Sequence, residues 1–499
     1  MTKLTDAIRR HPAGTFAAFL AIHGVVWTAL PALLFLNLPL DLIEALLYGR
    51  EWQLGYDKLP PLPWWMVEAT YRLFGPDLFF YALSQLCILA AFAAIWRMAR
   101  HLVGPVGALV AVLIVDGLHY YTFTSPKFNH DVVQLPFWAL ACASYWAALR
   151  GGRMWHWVLL GFALGMALWA KYFVVVLAVP LALFALIDRD ARKALATPGP
   201  YVAAAVAVLV ALPHLIWLVQ NDFLPFSYAD ARARHFVGLR DYFAKPSWFL
   251  LQQLGSFVPS LLIALPLLRR GNAEPDQPAP DAFDRRIVTL FAFGPAAVVI
   301  LMSVVTGRDL VAMWGYPLWQ FVGLWIVMNA PGVASAAVGR IAVIWCAVFV
   351  IGAAAFVGHF GVRPRLQQHY TTELFPGDQL ADEMSRRFRA LTGRPVAYVI
   401  ASMWTGGNIE HYALEHPRTL VDGIPARAPW IDLGDLHAKG AIVVWPETES
   451  PAGMPQQFRA VADDAEIQQP ITLPMRAGLG SVRFGWAVLR PRPVVAGGP

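Results

Sequence analysis

The chain reads as a polytopic α-helical membrane protein that ends in an α/β domain outside the membrane. Three observations predict this. Hydrophobic residues make up 58% of the 499 and charged residues only 14%, with a mean hydropathy of +0.50; soluble domains run at about 45–50% and about 25%. Apolar runs of roughly 20 residues, the length that crosses the hydrocarbon core, recur through the first 360 positions. Past residue 360 those runs stop, and short apolar stretches alternate with amphipathic ones. A soluble enzyme, a disordered scaffold and a nucleic-acid binder are all poor readings of such a chain. Cys87, Cys142 and Cys346 each lie inside an apolar run, with neither a disulfide framework nor a metal-type spacing.

The elements follow in order. Lys3, Arg9 and Arg10 precede an apolar run over 14–37, too long for a signal-peptide core and better read as a retained first span. Further spans are expected at 78–96, 104–122, 132–149, 155–170, 173–187, 200–219, 248–268, 287–305, 315–329 and 341–360, about eleven in all. The short connections carry Arg97 and Arg100, Arg150 and Arg153, Arg189, Arg192 and Lys193, Arg269, Arg270, Arg285 and Arg286, and Arg340. Basic short loops face the cytoplasm, so the N-terminus is expected inside and residues 361–499 outside. The segment 271–284 reads as a flexible inner linker.

The net charge of +6 belongs to the membrane part. Residues 1–360 carry 25 Lys+Arg against 19 Asp+Glu, whereas residues 361–499 carry 14 of each. The tail alternates candidate helices at 377–392, 405–414 and 453–463 with candidate strands at 395–401, 441–446 and 481–489, an α/β pattern. The expected domains are therefore 1–360 in the membrane and 361–499 outside it. The Gly406-Gly407 pair lacks the third glycine of a nucleotide-binding turn.

Chemistry concentrates in the long outer segment 38–77. Asp41 follows the first span directly, and Glu44 lies three residues on, so a helix places both carboxylates on one face. Tyr56, Asp57 and Lys58 precede Leu59-Pro60-Pro61, with Trp64 and Trp65 beyond. A carboxylate just outside a span can take a proton from an incoming hydroxyl, and a nearby lysine can hold a phosphate as a point charge. The same residues also fit a helix cap at Asp41 and a snorkelling Lys58.

The spacing D-x14-Y-D-K-x-P-P-L, from Asp41 through Leu62, resembles the first periplasmic loop of bacterial GT-C glycosyltransferases. The similarity is to the family 39/83 group, which contains protein O-mannosyltransferases and the lipid A aminoarabinose transferase. Gly55-Tyr56 keeps that group's Gly-Tyr. Its Asp-Glu pair is broken, since Leu42 follows Asp41, and Glu44 is the candidate substitute. The stretches 125–140 (SPKFNHDVVQLPFWAL), 161–173 (GFALGMALWAKYF) and 213–235 extend the resemblance in order across most of 14–330.

The resemblance implies a GT-C fold and an inverting transfer. A sugar arrives on a polyprenyl phosphate, an acceptor hydroxyl attacks the anomeric carbon, and the lipid phosphate leaves. The acceptor is a lipid, a glycan or a protein hydroxyl, met on the outer face of a bacterial inner membrane. Phosphate is already a good leaving group, so one base suffices, unlike the two carboxylates of a glycosidase. By resemblance Asp41 is the base, with Glu44 and Asp131 as further catalytic candidates. Lys58 matches a lysine that binds lipid phosphate. Asp57 matches an acidic residue that helps hold a divalent ion, with His235 as a second candidate ligand.

The remaining candidates carry two readings each. Asp131 and Asn129 either position the acceptor or cap the span beginning there. Lys171 either binds phosphate or snorkels. Arg232, Arg234 and Arg308 are donor-phosphate candidates in outer loops, or simply solvated cations. His119 and His214 are expected to be packing residues inside spans. A flippase or transporter of lipid-linked sugars is the competing function. It would set ionisable residues near the midplane and show repeated halves, whereas these cluster at span ends. A relative without catalysis is a third reading, kept open by the broken Asp-Glu pair.

Overall fold

The computed structural model describes residues 2–232, 234–268, 280–330, 333–368 and 370–492, with the backbone alone at 229, 231, 232 and 333–336. Arg269, Arg270 and residues 271–279 of the expected linker 271–284 lie outside the described residues, and from Ala282 on the chain is helical. The chain divides into two compact units. One comprises Met1–Pro31, Asp57–Pro63 and Leu78–Phe356, the other Ala32–Tyr56, Trp64–Asp77 and Val357–Pro499. The division at 356 falls close to the expected boundary at 360, and the second unit also takes in 32–56 and 64–77.

The first part of the chain forms α1 (Thr2–Arg10), α2 (Pro12–Leu34), α3 (Leu40–Gly49), α4 (Leu62–Phe74), α5 (Leu78–Asp116), α6 (His130–Gly151), α7 (Met154–Ala170), α8 (Val175–Ile187), α9 (Gly199–Gln220), α10 (Leu224–Arg232), α11 (Leu239–Ala264), α12 (Ala282–Thr306), α13 (Val322–Met328) and α14 (Val333–Val357). Among the described residues seven helical stretches are long and apolar enough to cross a membrane, and α7 and α8 are shorter apolar helices. Two differences separate this from the expected eleven. Spans 78–96 and 104–122 join in α5, which breaks at Val103 and Gly104, where Gly104 has φ 70°. That left-handed conformation suits a residue without Cβ. The run 315–329 is about half turns, with α-helix only over Val322–Met328. Its apolar composition does not distinguish a span from buried irregular chain.

Within this first unit, helices approach closely where glycine permits it. A Cβ on Gly161 of α7 would run into the Ala203 carbonyl of α9, and one on Gly165 would meet the Val210 side chain at 2.7 Å. Small residues let apolar helices pack backbone to backbone. The Trp169 indole then reaches the Val210 carbonyl of α9 at 2.7 Å. This is what the glycine-rich stretch 161–165 does.

The second unit is built on a sheet. Its elements are α15 (Arg363–Gln367), α16 (Gly377–Thr392), β1 (Tyr398–Ala401), α17 (Met403–Tyr412), β2 (Arg418–Val421), α18 (Leu433–Lys439), β3 (Ala441–Pro446), α19 (Gln456–Arg459), β4 (Glu466–Ile467), β5 (Ile471–Pro474) and β6 (Ser481–Leu489). Six strands run in the order β2-β1-β3-β6-β4, with β5 also pairing β6. β1 is parallel to β2 and β3, and β6 is antiparallel to β3 with Val443 opposite Ala487. Leu380, Met384, Phe388, Val399 and Trp486 fill one core cluster, and Ile400, Leu420, Leu436 and Phe458 another. Helix α17 packs on α3 of the same unit; a Cβ on Gly407 would stand 2.6 Å from Ile43 Cγ2. Gly407 thus serves helix packing, and Gly406 lets α17 lie against Thr419 of β2.

Candidate functional site

In the first unit, Asn129 starts α6 and its side-chain oxygen accepts from the Asp131 and Val132 N–H groups at 3.0 and 3.2 Å. Asn129 therefore takes the cap, and Asp131 does not. The Asp131 carboxylate accepts instead from Lys171 Nζ at 2.6 Å and from Gln134 Nε2 at 2.9 Å. Their side chains are 14% and 7% exposed for Lys171 and Asp131, so neither is a solvated surface charge. Lys171 sits where α7 ends, in an extended conformation between two helices. Its ammonium lies 5.7 Å from the centroid of the Phe173 ring.

The segment Asp57–Pro63 joins this cluster. His130 Nε2 bonds the Pro60 carbonyl at 3.0 Å, and both Lys58 and Lys171 act electrostatically on His130. Asp57 is buried and Lys58 half-buried. Two lysines, a carboxylate and a histidine thus gather on α6, the end of α7 and the 57–63 segment. Such a group can neutralise an anion with two point charges while a carboxylate fixes their direction.

A second set forms in the later loops. His235 pairs with Arg308 through the backbone in an isolated antiparallel bridge, and Asp309 N–H bonds the Arg234 carbonyl at 3.0 Å. Arg308 also pairs with Asp230. Lys245 holds Asp309 at 3.1 Å. The structure so brings Arg234, His235 and Arg308 together, the first two exposed and Arg308 half-exposed. The Arg232 side chain lies outside the described residues.

The metal expectation finds no support in the geometry. His235 is bridged to Arg308 in a separate set from the Asp57 segment, and among the described residues no three His, Cys, Asp or Glu side chains gather as a metal site requires.

Asp41 and Glu44 belong to the second unit, on α3. Pro39 occupies the N-cap position, and Asp41 lies inside the first turn, half-exposed. The capping reading of Asp41 is thereby set aside. Glu44, one turn on, is buried. The end of α3 is pinned by ion pairs: Arg50 to Glu410 at 3.2 Å and Glu51 to Arg418 at 2.9 Å. Burial pushes Glu410 up to about 7, with Arg50 pulling the other way. Tyr48, Tyr56, Trp64 and Trp430 pack ring to ring beside α3, with Tyr48 stacked on Trp64 at 4.6 Å.

His214 is a buried packing residue, as expected, bonded to the Tyr172 hydroxyl at 2.9 Å. His119 is not inside a span; it lies in a 3-10 turn past α5 and stacks on Phe123. Gln134 and His130 were not legible as site residues. Gln134 carried a usable signal, since three residues after Asp131 it shares the same helix face.

Comparison with known proteins places this architecture. The fold aligns with the crystal structure of ArnT from Cupriavidus metallidurans bound to undecaprenyl phosphate, with a TM-score of 0.63 over 97% of this chain and 99% of that one at 15% identity. The chain has the fold of ArnT. The apo ArnT structure aligns at a TM-score of 0.59. Residues 58–217 match the family described as dolichyl-phosphate-mannose-protein mannosyltransferase, a stretch that includes Lys58, Asp131 and Lys171. Lipid A galacturonosyltransferase RgtD of Rhizobium johnstonii is 30% identical over 179 residues, 35% of this chain and 37% of that protein. An undecaprenyl phosphate-alpha-4-amino-4-deoxy-L-arabinose arabinosyl transferase of Pseudomonas fluorescens is 30% identical over 221 residues, 41% of this chain and 39% of that one. The matched region therefore spans about two fifths of these curated relatives. The resemblance drawn from the loop motifs to the GT-C group holds.

Proposed function

We propose that the protein is an inverting glycosyltransferase that moves a sugar from undecaprenyl phosphate to a hydroxyl of lipid A or a similar envelope lipid. The observation that carries this reading is the gathering of Lys58, His130, Asp131 and Lys171 within the family-matched stretch. The names of the relatives supply the substrate class, and favour transfer over transport.

In this reading the acceptor hydroxyl forms a bond to the anomeric carbon as the carbon–phosphate oxygen bond breaks. The electron pair leaves on the lipid phosphate, and the hydroxyl proton passes to a carboxylate. Lys58 and Lys171 stabilise the charge that grows on the phosphate. Asp131 already accepts from Lys171 and Gln134, which suits it to orient Lys171. Asp41, half-exposed on α3, is then the base, with Glu44 buried behind it. Arg234 and Arg308, and Arg232 beside them in sequence, are secondary cations for the lipid phosphate. The reaction takes place on the periplasmic side of a bacterial inner membrane, with the N-terminus cytoplasmic and residues 361–499 outside.

The experiment is transfer by the purified protein in nanodiscs, with undecaprenyl-phosphate-linked 4-amino-4-deoxyarabinose or galacturonic acid and lipid A, read by mass spectrometry. Asp41→Asn keeps the shape of the residue and removes the base, so turnover should fall about 10²–10⁴-fold while undecaprenyl phosphate still binds. Wild-type turnover by the Asn variant would refute the assignment of the base. Absence of transfer by wild type with every donor tried would count against the reaction.

A further inference from the structure

A buried polar chain runs through the first unit and is not used in the reaction above. His23 on α2 is fully buried, and its Nδ1 lies 2.8 Å from Asp116 Oδ1 at the end of α5. Trp345 of α14 donates to the other Asp116 oxygen at 2.6 Å. His23 Nε2 faces Gln85 Oε1 at 3.1 Å, and Gln85 Nε2 faces Ser125 Oγ at 3.2 Å. Ser125 Oγ donates to the Thr122 carbonyl at 2.8 Å. Ser84 also donates to the Ser125 carbonyl. Phe19, Phe92 and Phe349 surround the imidazole with ring centroids at 5.5–6.2 Å.

These bonds determine the proton count. A serine hydroxyl has one hydrogen, and that of Ser125 goes to Thr122. Ser125 therefore accepts from Gln85, which turns the Gln85 amide nitrogen towards Ser125 and its oxygen towards His23. His23 Nε2 must then carry a hydrogen. Nδ1 and Asp116 Oδ1 stand 2.8 Å apart, a separation at which two bare lone pairs would repel, so a second proton lies between them, held on Nδ1 or on the carboxyl. The pair so holds two protons and is net neutral. That is the form an apolar bundle tolerates, since an unpaired charge there is costly.

We propose that His23 and Asp116 are positioning residues: a net-neutral, two-proton pair that, through Gln85 and Ser125, anchors the segment leading into Asn129 and Asp131. Ser125 lies four residues before the Asn129 cap. The chain between is a run of tight turns, with Phe128 fully buried. Fixing Ser125 fixes where α6 begins and where Asp131 meets Lys171. The part of this inference that concerns transfer rests on the roles given above to Asp131 and Lys171; the proton count and the anchoring do not.

Three forms of the full protein in nanodiscs test it: wild type, Asp116→Leu and Asp116→Asn. An asparagine donates its N–H to Nδ1 of an Nε2–H imidazole and accepts from Trp345, so it replaces the carboxyl only if the proton count is right. Amide exchange in 118–129 should speed at least tenfold in Asp116→Leu and return to within threefold of wild type in Asp116→Asn. Transfer should lose at least tenfold in kcat in the Leu variant, with donor KM within threefold, and recover in the Asn variant. Equally fast exchange in both variants would overturn the two-proton pair. Unchanged exchange in Asp116→Leu would overturn the anchor. Altered exchange with unchanged kcat would overturn the link to Asp131. If wild type shows no transfer while the exchange pattern appears as expected, the anchor stands and the transferase reading fails.

Discussion

At the scale of single residues, the Asp131–Lys171 pair is the most informative contact. Both side chains are largely buried, so each is the other's chief compensation. Breaking one side of a buried pair leaves an uncompensated charge and costs about 3–5 kcal/mol. Lys171→Met should therefore lower thermal stability by that order and weaken undecaprenyl phosphate binding. The double variant Lys171→Met with Asp131→Leu should recover most of the stability and none of the binding. Differential scanning fluorimetry and native mass spectrometry read the two effects separately. Stability that does not recover in the double variant would show that the loss came from packing. Sequence made both residues visible as candidates, at the end of an outer loop and of a glycine-rich span. Their pairing was not visible, because forty residues separate them and no local spacing encodes it. The cap at Asn129 removed the capping reading of Asp131, and that needed backbone geometry.

Among the elements, α7 and α9 show what the glycines of a span are for. Gly161→Leu should drive the helices apart and lower the unfolding temperature. Its overpacking cost is about 1–3 kcal/mol or more, whereas Leu160→Ala beside it removes volume without forcing backbone to move. Thermal unfolding of both variants in the same detergent checks this; an unperturbed Gly161→Leu would mean that the helices are not in backbone contact. Element by element, legibility followed the strength of the local pattern. Helix 377–392 and strands 441–446 and 481–489 match α16, β3 and β6 to the residue, since each is a sustained amphipathic or apolar run with clear ends. The expected helix 453–463 is only α19, four residues long, because Pro455 and the polar residues after it give too little apolar face. β2, with four residues, and β4, with two, are too short for period to show. The run 315–329 is apolar yet only about half helical, since burial in the first unit leaves its composition unable to tell a span from buried turns.

For the molecule as a whole, a pH response follows from Glu410. It is buried, accepts from Arg50 and from the Thr419 N–H at 3.1 Å, and is pushed from 4.5 up to about 7, mainly by burial. The folded protein therefore keeps a proton that the unfolded chain gives up. Its stabilising effect is complete below about pH 4.5 and fades as pH rises towards 7, by about 3 kcal/mol in all. Unfolding of the second unit between pH 5 and 8 should show this slope, and Glu410→Gln should flatten it. A slope unchanged in the Gln variant would assign the response to another group. Arg50 and Glu410 stand 360 positions apart in the chain, and so the tail and residues 32–77 share one stability. That sharing bears on how such proteins can be recombined. A boundary at residue 360 invites treating the tail as a cassette to be exchanged between relatives. Yet the chain passes between its two units after residues 31, 56, 63, 77 and 356. A chimera joined at 360 would inherit α3, Arg50 and Glu51 from one parent and Glu410 and Arg418 from the other. Tails should be portable only together with their own residues 32–77, so that a working exchange takes two separate stretches of gene.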